Sequence, residues 1–170
     1  MSDNPYAAPE AEVQDITPDE RQLPLASLGS RFVGALLDFL VAFVALIIVF
    51  IPLGIGTDLF FDMDREWTTS LKLSLLGMVI VLAIQSYFWH TRGQSIGKML
   101  VGTRIVDVTT GQQASFGKIV GARYIPATLL GYIPIVGTVF GLVNILFVFR
   151  QDRRCIHDLI AGTKVVDIRK

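Results

Sequence analysis

SLGSRFVGALLDFLVAFVALIIVFIPLG, Ser27 to Gly54, decides how this 170-residue chain must be read. Between Phe32 and Leu53 it holds one charged residue, Asp38. About 20 apolar residues, each rising ~1.5 Å, cross a hydrocarbon layer of ~30 Å. The stretch predicts a membrane helix over residues 27–53, ended by Pro52 and the glycines at 54 and 56. A carboxylate inside such a span costs roughly 2.5–3.5 kcal/mol even on the lenient insertion scale. Asp38 therefore needs a basic partner or a proton. Arg31 lies two turns earlier on nearly the same face, ~10.5 Å along the axis, too far to pair directly.

The rest of the composition agrees with a membrane protein. Mean hydropathy is +0.55 and hydrophobic content is 52%, high for a soluble domain. Net charge is zero but segregated. Residues 1–31 carry six acids and two bases, and residues 54–72 four acids and two bases. Residues 91–123 carry five bases and one acid, and residues 150–170 six bases and three acids. No basic surface free of lipid is offered to nucleic acid. The single cysteine, Cys155, permits neither an intramolecular disulfide nor a zinc cluster. The N-terminus lacks the basic region and cleavage site of a signal peptide.

Residues 1–25, rich in proline and acid, read as a disordered cytoplasmic tail in which NPYAAP offers a docking peptide. The membrane domain then runs over residues 26–170. An acidic loop with Phe60, Phe61 and Trp67 follows the first helix, and the aromatics suit a membrane boundary. A second helix is expected over 71–90. VGTRIVDV, Val101 to Val108, reads as a short strand, and its Gly102-to-Val108 portion is repeated as GTKVVDI, Gly162 to Ile168. Two strands with one alternation are expected to pair on one membrane face. The apolar stretch 115–149 is broken at Gly131-Tyr132-Ile133-Pro134. It reads as a helical hairpin, 116–131 and 133–149, either spanning or re-entrant. A short interfacial helix is expected over about 151–161. The basic segments face inwards, which puts both termini in the cytoplasm. The fold class is an all-α membrane protein of four segments with a small two-stranded β element.

Asp38 is the sharpest candidate for chemistry, either as a functional acid or as an Arg–Asp clamp, with Arg123 a partner from another helix. Asp158 is expected to cap or to pair with Arg31, Arg104 or Arg123. His157 and His90 have no second ligand at metal spacing, so no metal site is expected. Gly117/Gly121 and Gly137/Gly141 are GxxxG pairs that fit close packing within the hairpin or a dimer. GQSIGK, Gly93 to Lys98, lacks the spacing of a phosphate loop. No catalytic constellation is legible, so neither an enzyme nor a cofactor is expected.

Arg31 with Asp38, GQSIGK with VGTRIVD, and HDLIAGTKVV from His157 to Val166 together resemble the RDD family of small bacterial membrane proteins, from about Ala26 to Ile168. By that resemblance Arg31 is the family arginine, and Asp38 and Asp158 are its two aspartates. Met99 stands where the family often has a basic residue. The resemblance implies an inner-membrane location and suspected transport, including cation/proton exchange. The expected function is transport of a small solute or cation, with Asp38 as the ionisable group and Arg31, Asp158, Arg123, His157, Arg104 and Lys98 around it. Four short helices leave little room for a pore, so an oligomer is expected. The rival is a membrane adaptor that binds a protein or anionic lipid.

Overall fold

The computed structural model describes residues 23–55 and 66–169. The NPYAAP peptide and the aromatics Phe60 and Phe61 lie outside them. Two long helices come first: α1, Leu28–Phe50, and α2, Trp67–Arg92. Ser27 starts α1 by accepting the Ser30 N–H at 3.0 Å. Gly93 closes α2 in the left-handed conformation that glycine adopts freely. Among the described residues these two are long and apolar enough to cross a membrane. Their large apolar side chains point outwards; Phe32, Phe39, Ile48 and Val79 are all exposed. In water that surface would drive aggregation, whereas against lipid tails it is the expected face.

A short helix α3, Ile96–Leu100, turns back along α1 and leads into β1, Thr103–Asp107. Helix α4 begins as a π-helix over Lys118–Tyr124 and continues as an α-helix over Ile125–Gly131. Helix α5, Val136–Leu146, ends in a 3₁₀ turn, Phe147–Phe149. The arms of this hairpin each reach only ~21 Å at 1.5 Å per residue. Four full spans are thus not established. Ile135, at the tip, has φ 66°, an uncommon and costly angle for a β-branched residue. Tyr132 Oη donates to the Ser74 carbonyl at 2.8 Å and ties the tip to α2.

Helix α6, Ile156–Ala161, is shorter than the 151–161 expectation. Asp152 accepts from Arg150 and from the Arg154 N–H, holding the preceding residues in a turn, and Arg153 takes φ 48°. Strand β2, Thr163–Asp167, then pairs antiparallel with β1, Thr103 opposite Asp167 and Asp107 opposite Thr163. The repeated GT-x-x-V-D thus becomes two strands with the same burial pattern. Residues 24–26 lie along the other edge of β2. Ala26 N–H donates to Val165 O at 3.0 Å, and Asp167 N–H to Pro24 O at 2.9 Å. Pro24 and Leu25, which the sequence assigns to the tail, are thus paired with the sheet, because open strand edges recruit backbone partners. Ile105 and Val165 of the sheet form one core with Trp89, Ile119, Ala26 and Ala114.

Candidate functional site

Two carboxylates anchor two polar clusters beneath the helices. Asp38, in the middle of α1, faces the N-terminus of α3. Its Oδ2 accepts the Ser95 hydroxyl at 2.5 Å, and its Oδ1 accepts the Gly97 N–H at 2.8 Å. Gln85 Nε2 on α2 donates to Oδ1 at 3.3 Å, while Gln85 Oε1 accepts the Ile96 N–H at 3.2 Å. Lys98 Nζ lies 3.5 Å from Oδ2. The free N–H groups at a helix start carry partial positive charge, so a carboxylate is well placed there. The approach requires glycine. A Cβ on Gly97 would sit 2.8 Å from the Asp38 backbone nitrogen and collide with the Gly34 carbonyl.

Asp158 is fully buried at the start of α6. Arg123 Nε lies 2.8 Å from its Oδ1 and Arg31 Nη1 3.6 Å from its Oδ2. Thr163 Oγ1 and the Cys155 N–H also donate to it. Arg31 Nη2 continues to the Val165 carbonyl at 3.3 Å, joining α1 to β2. Arg123 Nη2 lies 3.1 Å from His157 Nε2, and His157 Nδ1 lies 2.8 Å from Asn144 Oδ1. An arginine donates and an amide oxygen accepts, which places the imidazole proton on Nδ1 and the lone pair on Nε2. Burial pushes the His157 pKa down to about 3, and Arg123 adds to the effect. Asp158 falls below the usual carboxylate value: burial opposes this, but Arg123, then His157 and Arg31, outweigh it.

Of the two acids that the sequence offers to Arg123, it partners Asp158 and not Asp38. The donors that Asp38 uses are Ser95, Gly97 and Gln85, with Lys98 beside them. A search for a basic residue in a span could not find them, although Gln85 and Asn144 are themselves polar residues inside apolar helices. Arg104 stands on β1 opposite Val166 and does not line the cavity described next. Of the four GxxxG glycines, Gly137 meets the backbone of Gly131, while the Cβ positions of Gly117, Gly121 and Gly141 face open space.

A cavity of about 530 Å³ lies between α1, α2 and the hairpin. Its polar end holds Asp38, Gln85, Ser95, Lys98, Arg123, Asn144 and His157. Phe39, Val81, Trp89, Tyr124 and Phe140 make its apolar walls. The π-helical turn carries both Arg123 and Tyr124, and such turns recur at functional sites. Cys155, His157 and Asp158 bring ligand atoms within 4.8 Å of one another. Arginines already occupy the carboxylate and the imidazole lone pair, so this trio offers poor metal ligation.

Comparison with known proteins matches residues 25–162 to the RDD family. An uncharacterized protein of Haemophilus influenzae (strain ATCC 51907 / DSM 11121 / KW20 / Rd) is 35% identical over 96 residues. That alignment covers 56% of this chain and 59% of the relative, so the chain spans less than two thirds of its length. The uncharacterized protein YckC of Bacillus subtilis (strain 168) is 29% identical over 142 residues, 82% of this chain and 83% of the relative. No solved structure matches. With the family match running across both aspartate clusters, this chain belongs to the RDD family and is a membrane protein.

Proposed function

We propose that the protein carries a small solute across the bacterial inner membrane, binding it in the cavity beside Asp38 and Lys98. The observation that supports this reading is the cavity itself: its polar end is built on a charged pair and its walls are lipid-level helices. The two aspartates divide the work. Asp158 is dry and locked between arginines, a clamp that holds α1, α4 and α6 together. Asp38 and Lys98 reach the cavity and can exchange one partner for another during a transport cycle. A homo-oligomer in the membrane, with both termini cytoplasmic, completes the proposal. The adaptor reading draws support from the full set of donors around Asp38, which a purely structural carboxylate would also have.

The test is flux in sealed proteoliposomes. Gradients of sodium, lithium, potassium and the impermeant anion benzenesulfonate are imposed one at a time, and proton or tracer movement is followed. Wild type is run beside Gly141→Leu, whose Cβ meets nothing within 4 Å and whose longer side chain is meant to fill the cavity. Flux above empty liposomes that Gly141→Leu abolishes supports a carrier. Absence of flux from folded wild type for all four ions overturns it in favour of the adaptor.

A further inference from the structure

The cavity lining combines a charged cluster with apolar and aromatic walls. Lys98 and Arg123 reach its polar end against the single carboxylate of Asp38. Behind Arg123, the Asp158 carboxylate is shared with Arg31. Three cations thus face two carboxylates among the described residues of the paired clusters. The imidazole of His157 lines the same end and stays neutral; burial is the first cause, and Arg123, Lys98 and Arg31 all add to it. A bare cation entering here would meet ammonium and guanidinium groups and find Asp38 already accepting three hydrogen bonds. An anion would find donors. Lys98 Nζ is loosely held, 3.4 Å from Ser95 Oγ and 3.5 Å from Asp38 Oδ2, both longer than a charge-assisted bond. The Asn144 carboxamide oxygen accepts from His157, which leaves its NH₂ edge as a further donor at the cavity.

The rest of the lining has the opposite character. Phe39, Ala42, Val81, Phe140 and the Trp89–Tyr124 pair, with ring centroids 5.0 Å apart, offer apolar and aromatic walls beside the polar groups. Pockets of ~300–1,000 Å³ take drug-sized ligands, so about 530 Å³ has no room for both acyl chains of a membrane lipid.

We propose that the ligand of this cavity is a small amphiphilic anion: one carboxylate, sulfonate or phosphate head at Lys98 and Asn144, with one short chain or ring along Trp89, Tyr124 and Phe140. This rests on the carrier reading for its biological sense, but not for its test, which reads binding alone.

Trp89 is one of two tryptophans in the chain and lies in the cavity wall. In a Trp67→Phe background it reports occupancy directly. The full chain in zwitterionic nanodiscs is titrated with 8-bromooctanesulfonate, 8-bromooctanol and 8-bromooctyltrimethylammonium, whose bromine quenches a tryptophan on contact. Saturable quenching by the sulfonate is expected, at least tenfold tighter than by the alcohol or the cation. Lys98→Gln should weaken the sulfonate about tenfold and leave the alcohol unchanged. Gly141→Leu, checked for an unchanged melting temperature, should remove saturable quenching altogether. Equal or tighter binding of the cation overturns the anion assignment while leaving a ligand cavity, and with it the carrier, standing. Quenching by all three probes that Gly141→Leu leaves unaltered, or no saturable quenching by any of them, overturns the cavity as a ligand site and the carrier reading with it.

Discussion

Arg123 Nε lies 2.8 Å from Asp158 Oδ1, and both side chains are nearly or wholly withdrawn from solvent. Removing one member of such a pair strands the other charge, which typically costs ~3–5 kcal/mol. Arg123→Met is therefore expected to destabilise the protein by about that amount, moderated by Arg31 on the far oxygen. Adding Asp158→Asn to Arg123→Met should recover part of the loss. Denaturant unfolding of the single and double variants measures both effects; additive losses would show that the pair is not coupled.

Acid should weaken the fold before any carboxylate titrates. His157 stays neutral in the folded state down to about 3, while in the unfolded chain it protonates near 6.5. As pH falls through that window the unfolded chain takes up a proton that the folded chain refuses, so stability declines. Asp158 acts lower. Its folded pKa lies below 3.8, so its contribution is present above 3.8 and is lost as pH falls through the folded value. His157→Gln should flatten the slope between 6.5 and the carboxylate range and keep the steeper limb below it. Melting temperatures across that pH range test this.

At the other cluster, Asp38→Asn removes the charge beside Lys98 and one of the two strong acceptors. A loss of about 1–3 kcal/mol is expected, as for a buried group left without its partner. Lys98→Met in the same chain should reduce it, since the ammonium no longer needs an anion. Thermal unfolding of the three variants would decide, and an equal loss with and without Lys98 would refute the pairing.

Glycines at two positions should respond oppositely to a side chain. Gly97→Ala drives a Cβ into the backbone of α1 at Gly34 and Asp38, with no flexible atom to yield. The fold is expected to fail or lose several kcal/mol, in line with other severe packing defects, roughly 3 or more. Gly141→Ala meets nothing within 4 Å and replaces a poor helix former with the best, a gain of up to ~1 kcal/mol. Yield of monodisperse protein after extraction, followed by melting temperature, separates the two.

The sequence carries the sheet more openly than the site. GTRIVDV and GTKVVDI announce each other as partners, although only the structure shows that they pair antiparallel. The long helices follow from length and hydropathy. The surroundings of Asp38 do not, because they depend on tertiary contact. Ser95 and Gly97 come within reach only because α3 folds back on α1, and nothing in GQSIGK read as a local motif says so. The π-helix that carries Arg123 into the cavity is equally silent, since its residues suit an ordinary helix. The interior glutamine and asparagine were the available signal: polar amides inside apolar spans mark places where helices exchange hydrogen bonds.

The clasp between α1 and β2 has a consequence in time. Arg31 reaches the Val165 carbonyl across 134 residues of chain. At ~5–20 residues per second of synthesis, roughly 7–27 s pass between the emergence of the arginine and that of its acceptor. For that interval the first helix sits at the membrane with a bare guanidinium at its mouth. The newborn protein must therefore wait, half-inserted and unlocked, for its own downstream sequence to close it.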